Sequence, residues 1–143
     1  MTYENKLSAL NIKLPEAKAP VGNYVATKIS GKMLFVSGQI SIDESGQLIK
    51  GKVGKDLDTE AGYNAAKRCA LSIVAQVKKA CDNDLSKVKS CIKLTGFVNS
   101  TDNFTEQPKV INGASDLIAS IFGDVGMHTR AAVSTNSLPL GVS

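Results

Sequence analysis

One side chain in this sequence is set to hold an acid. Arg130 lies among small neighbours, with His128 and Thr129 before it and Ala131 and Ala132 after it. A guanidinium there requires a carboxylate, either inside the protein or from solution. Its planar fork matches a carboxylate through two parallel bonds, each worth about 1.5–3 kcal/mol when charge-assisted. Spacing alone leaves a structural ion pair and a ligand contact equally open. Other reactive residue types are sparse. His128 is the single histidine, so a histidine-rich metal site is excluded. No serine–aspartate pattern surrounds it to make a triad, and a buried or interface role suits it better. Cys69, Cys81 and Cys91 form no close pair, and their odd number argues against a disulfide framework. They fall in helix and strand stripes, where free cysteine packs as core. Asp102 reads first as a turn-former before a helix. Near Arg130 it would either pair with the guanidinium or act as a general base.

Composition narrows the function classes. At 143 residues the chain fits a single domain, 1–143. Apolar residues are 43% and charged residues 21%, the balance of a folded chain rather than a disordered one. Apolar runs are short, so no bilayer span is expected. The N-terminal segment lacks the basic start and apolar stretch of a signal peptide, and the expected location is the cytoplasm. The net charge of +4 is carried almost wholly by lysine, since Arg68 and Arg130 are the only arginines. Scattered lysines, 5% aromatics and no tryptophan argue against a nucleic-acid track.

Periodicity supplies the elements that must position these residues. The first twenty residues read as an irregular lead-in. Residues 24–30 and 33–40 read as two strands joined by Gly31-Lys32, an antiparallel hairpin. Residues 47–53 read as a short third strand after a turn at 44–46. A helix of about 23 residues follows, capped by Thr59, with Ala66, Cys69, Ile73, Val77 and Ala80 on its apolar stripe. Residues 91–98 read as a strand with two partly buried faces. A second helix covers 106–122, with Thr105 as cap, Pro108 in the first turn and Gly123 beyond its end. Residues 130–135 form the last strand. The order β-β-β-α-β-α-β implies an α+β fold, a mixed sheet with both helices on one face. The other sheet face would stay bare and apolar, which is a physical argument for oligomerisation.

Several strings, in this order and spacing, resemble one family. GNYV at 22–25, FVSGQI at 35–40, FVNSTDNF at 97–104, INGASDL at 111–117 and HTRAAVSTNSLP at 128–139 look like the YjgF/RidA (reactive intermediate deaminase, endoribonuclease L-PSP-like) family. The match is to its longer branch, with the NGASDL helix, over roughly residues 15–143. The resemblance implies a chorismate-mutase-like fold, a homotrimer, and ligand clefts between subunits. It implies an imine/enamine deaminase, a hydrolase converting 2-aminoacrylate-like intermediates to 2-keto acids and ammonia. No metal and no organic cofactor is implied.

The resemblance also assigns roles. Its substrate arginine falls on Arg130, its N-terminal tyrosine on Tyr24, and its second-strand serine and glycine on Ser37 and Gly38. A cleft asparagine becomes Asp102, and a cysteine that acts through its main chain becomes Ala132. The expected catalytic group is Arg130, Tyr24 and Ser37; the expected substrate contacts are Arg130, Gly38, Asp102 and Ala132. Tyr24 by its residues alone reads as a half-buried strand tyrosine, and Ser37 as a small residue at a strand end. The family's water-activating glutamate lies beyond Ser143; either the chain is truncated or it lacks that strand and acid. Two alternatives stand beside the deaminase: a non-catalytic protein binding a small carboxylate, and an endoribonuclease or translation inhibitor, which the lysine and aromatic pattern supports least.

Overall fold

The computed structural model describes residues 1–143. It opens with a helix the periodicity does not reveal, α1 (Tyr3–Ala9), where an irregular lead-in was expected. The Thr2 hydroxyl caps it, accepting from the Asn5 amide at 3.0 Å. Seven residues are too few for an isolated helix. Burial of Leu7 and an edge-to-face contact of Tyr3 with Phe122, centroids 4.9 Å apart, hold it in place.

The hairpin forms as the sequence implies but is shorter. Strands β1 (Thr27–Ser30) and β2 (Met33–Val36) pair antiparallel. Gly31 turns the chain at φ +58°, a region glycine enters without steric cost. Tyr24 precedes β1 and Ser37 follows β2, so neither lies in a strand ladder.

Residues 47–53 do not make a third strand. They form single bridges, Lys50 to Val142 and Val53 to Ser100. Gly51 has φ +122° and breaks the extended path between them. Val53, fully buried, exchanges backbone bonds with Asn99 and Thr101 at 2.9 and 3.1 Å. The segment therefore meets the end of the next strand and Val142 only through single bridges, and in place of the one mixed sheet expected the chain forms two separate two-stranded sheets.

Helix α2 (Thr59–Ala80) is capped by Asp58, not Thr59. The Asp58 carboxylate accepts from the Ala61 amide at 2.8 Å, and its charge suits the helix N-terminus. Strand β3 (Lys93–Asn99) then leads through α3 (Gln107–Phe122) to β4 (Thr129–Thr135), which lies parallel to β3. No side chain caps α3, contrary to the role expected of Thr105; Pro108 in its first turn removes one amide that would need a partner. Leu94 opposes Arg130, Gly96 opposes Ala132, and Phe97 opposes Val133.

The helices lie side by side, α2 against the hairpin and α3 against β3 and β4. Between them Val74, Val98, Ile121 and Leu85 are almost completely buried. A Cβ on Gly113 would overlap the Tyr63 carbonyl oxygen and stand 2.8 Å from its carbon. Glycine is thus what lets α3 touch the α2 backbone. The opposite face is uncovered. Phe97 is 58% exposed and Val133 44%; on the hairpin Met33 and Phe35 are open to solvent on one face, and Ile29, paired with Leu34, on the other. Thr95 and Phe97, expected to be partly buried, line this face.

Candidate functional site

Alternation along β4 decides where Arg130 goes. It shares a face with Ala132, opposite buried Leu94, and so turns toward α3 rather than toward the bare face. There its Nη1 donates to Asn112 Oδ1 at 2.8 Å and to Ser115 Oγ at 3.1 Å. Nη2 reaches the Pro108 carbonyl at 3.5 Å, the outer limit of a hydrogen bond. All three acceptors are neutral. The ion pairs of the chain are Lys87–Asp82 and Lys109–Glu106, and neither involves Arg130. Asp116, next to Ser115 in sequence, accepts instead from the Tyr63 hydroxyl at 2.9 Å. That bond pushes the Tyr63 phenol above its ordinary range. Arg130 therefore keeps an unneutralised charge on a partly exposed side chain.

His128 closes this group from the other side. Its Nδ1 lies 2.7 Å from the Gly126 carbonyl and its Nε2 lies 2.9 Å from Ser115 Oγ. Nothing in the sequence alone marks Asn112 and Ser115 as partners of Arg130. Their spacing of three places both on one helix face. Only the packing of α3 over β4 reveals that this face meets Arg130.

The remaining expected site residues fall in separate places. Tyr24, 55% exposed, lines a cleft of about 410 Å³ with Lys18, Pro20, Val25, Gln76 and Lys79. Ser37 lies near the same corner, its hydroxyl donating to the Val25 carbonyl at 2.6 Å. With its proton committed, Ser37 offers lone pairs and acts as an acceptor. Gly38 is exposed, and a Cβ there would meet nothing within 4 Å. Asp102 lines a second cleft, of about 260 Å³, at the carboxyl ends of β3 and β4 with Ser100, Phe104, Gln107, Ser134 and Asn136. No hydrogen bond or ion pair joins Asp102 to Arg130. Ala132 packs against the core, opposite Gly96. Neither cleft is lined by Arg130. One chain thus brings Tyr24 near Ser37, and Arg130 near Ala132, but does not join the two groups.

No cluster of three or more histidine, cysteine, aspartate or glutamate side chains is placed to hold a metal. No helix is long and apolar enough to cross a membrane.

Comparison with known proteins gives a consistent picture. Residues 4–142 match the family model described as "YjgF/chorismate_mutase-like, putative endoribonuclease". Protein TCP17 of Trypanosoma cruzi is 48% identical over 138 residues, 96% of this chain and 86% of that protein. Among solved structures, the protein Atu1372 of Agrobacterium tumefaciens, of unknown function, is 46% identical with a TM-score of 0.90, covering 99% of this chain and 87% of that one. A "putative endoribonuclease" of Shewanella oneidensis is 37% identical with a TM-score of 0.94, covering 99% and 93%.

Proposed function

Because the chain belongs to the YjgF/chorismate-mutase-like family and has its α+β fold, we propose that it is an imine/enamine deaminase whose Arg130 holds the substrate carboxylate. The observation that carries this reading is the unneutralised guanidinium. Its neighbours are an amide, a hydroxyl and a carbonyl, so no internal acid competes for it. A charge kept without a partner near the α3 surface favours a carboxylate from solution.

The proposed reaction starts from 2-aminoacrylate, which tautomerises to the 2-imino acid. Water adds across the C=N bond to give a carbinolamine. That species loses ammonia and leaves the 2-keto acid. Fixing the carboxylate on Arg130 sets the imine carbon in one place for the attacking water. Ser37, with its hydroxyl proton already donated, suits the role of accepting a hydrogen bond from that water or from the leaving nitrogen. Tyr24 suits a wall that presents a hydroxyl.

Ser37 and Tyr24 lie apart from Arg130 in one chain, so we propose that a neighbouring copy supplies them. Exposed apolar side chains, Met33 and Phe35 on one face of the hairpin and Phe97 and Val133 on β3 and β4, support association of copies, in a homotrimer with sites at the seams. Large apolar side chains left open in this way favour burial against another copy.

The test is release of 2-keto acid from 2-aminoacrylate generated in situ by a serine dehydratase. Wild-type protein should accelerate release, and Arg130→Ala should abolish the effect while the far-ultraviolet spectrum stays unchanged. Intact wild-type protein without such activity would rule the reading out for these substrates. Calorimetric binding of 2-keto acids without turnover would instead establish a non-catalytic carboxylate binder. RNA cleavage that survives Arg130→Ala and further purification would establish a ribonuclease. Sedimentation should show a trimer that Phe97→Asp dissociates.

A further inference from the structure

The bonds around Arg130 decide which edge of its guanidinium stays open. Nη1 carries two hydrogens, and Asn112 Oδ1 and Ser115 Oγ accept them at 2.8 and 3.1 Å. The proton of Ser115 then has one destination, His128. A carbonyl oxygen only accepts, so His128 Nδ1, 2.7 Å from the Gly126 carbonyl, carries the hydrogen of the neutral imidazole. Nε2 is left as a bare lone pair 2.9 Å from Ser115 Oγ and accepts the hydroxyl proton. The Ser115 oxygen is thereby turned with its lone pairs toward Arg130. Donation runs in one direction, from Arg130 to Ser115 to His128, and the imidazole in turn donates to Gly126.

This leaves the Nε hydrogen without a partner, and Nη2 engaged by nothing stronger than the 3.5 Å contact with Pro108. Nε and Nη2 present the side edge of the fork, one of the two edges on which a carboxylate docks through parallel bonds. The end edge, between Nη1 and Nη2, is closed because both Nη1 hydrogens are used.

We infer that Asn112, Ser115 and His128 are positioning residues that reserve the Nε–Nη2 edge of Arg130 for the carboxylate of a 2-oxo or 2-imino acid, docked side-on. This rests on the proposed role of Arg130 as the substrate's anchor and adds the residues that orient it. None of the three touches the ligand. Each acts by holding the plane and rotation of the guanidinium, so that less freedom is lost when the acid binds.

The test uses 2-oxobutanoate as probe, calorimetry for affinity and nitrogen-15 NMR for the side chains. With one histidine and two arginines in the chain, His128 and the Nε–H groups of Arg68 and Arg130 are resolved without crowding. Expected are a protonated Nδ1 and an unprotonated Nε2 on His128, and a shift of the Arg130 Nε–H signal on titration. Ser115→Ala should weaken binding about tenfold, the scale of one charge-assisted bond. Ser115→Thr restores the hydroxyl and should return affinity to within about threefold. A merely structural serine would not show that rescue at constant stability. Ser115→Ala binding as tightly as wild type, or an Nε2-protonated His128, overturns the inference while leaving the anchor role intact. Wild-type protein that shows the expected tautomer but binds no 2-oxo acid refutes the anchor role, and the docking claim falls with it.

Discussion

Gly113→Ala probes the joint on which both the fold and the site depend. The added methyl group would overlap the Tyr63 carbonyl oxygen and lie 2.8 Å from the Tyr63 carbonyl carbon and 3.2 Å from the Lys67 amide nitrogen. Ordinary carbon contacts begin at about 3.5 Å, so α2 and α3 must part by roughly that shortfall, on the order of 1 Å. Backbone lies on the far side of the contact, and no rotamer change relieves it. Overpacking of this kind costs about 1–3 kcal/mol. Alanine returns up to about 1 kcal/mol of helix propensity, and forced backbone contact places the substitution at the upper end of the cost. The expected net loss is about 2 kcal/mol, or about 4–8 °C in Tm for a chain this size. The assay is thermal unfolding followed by circular dichroism, with Asn64→Ala on the exposed side of α2 as a propensity control. Asn112 and Ser115 flank Gly113, so the same displacement draws them off Arg130. Binding of 2-oxobutanoate should fall together with stability. A Gly113→Ala protein as stable as wild type would refute the close-approach argument.

Three further outcomes follow from local geometry. Asp58→Ala removes the carboxylate that caps α2 and should cost about 1 kcal/mol in urea unfolding, whereas Thr59→Ala, which only loosens a 3.3 Å contact with Glu106, should cost less; the reverse order would contradict the assignment of the cap. The Ser45 hydroxyl and the Gln47 amide hold the Asp43 carboxyl below its ordinary range. A carboxyl lowered on folding adds stability above its unfolded pKa and loses it as pH falls through the folded value. Asp43→Asn should therefore flatten the fall in stability between neutral and acid pH, measured by urea unfolding; an unchanged slope would count against these bonds. Cys69 is only partly buried by area, yet packing around its sulfur pushes the thiol up to about 12. At pH 8 about one molecule in ten thousand is thiolate, so native protein should label at Cys69 far more slowly than after unfolding, as read by mass spectrometry with a maleimide.

The sequence by itself determined whatever depends on residues close in the chain. The amphipathic stripe from Ala66 to Ala80 marks α2 because apolar spacing of three and four has one periodic solution. Gly31 marks the hairpin turn and Gly123 the end of α3, since glycine is the residue that enters their conformations cheaply. Arg130 stood out because a lone cation among small residues requires an acceptor. Helix α1 was not legible, as its seven residues draw their stability from Leu7 and Tyr3 meeting the body of the protein. The third strand does not form because Gly51 leaves the extended region, and ladder pairing is decided by the partner strand rather than by alternation. The acceptors of Arg130 lay beyond sequence reading for the same reason. Asn112 and Ser115 are 18 and 15 residues away along the chain and become neighbours only when Gly113 lets α3 settle against α2 above β4. Which neutral groups surround a charge, and which of its edges stays free, is a property of that packing alone.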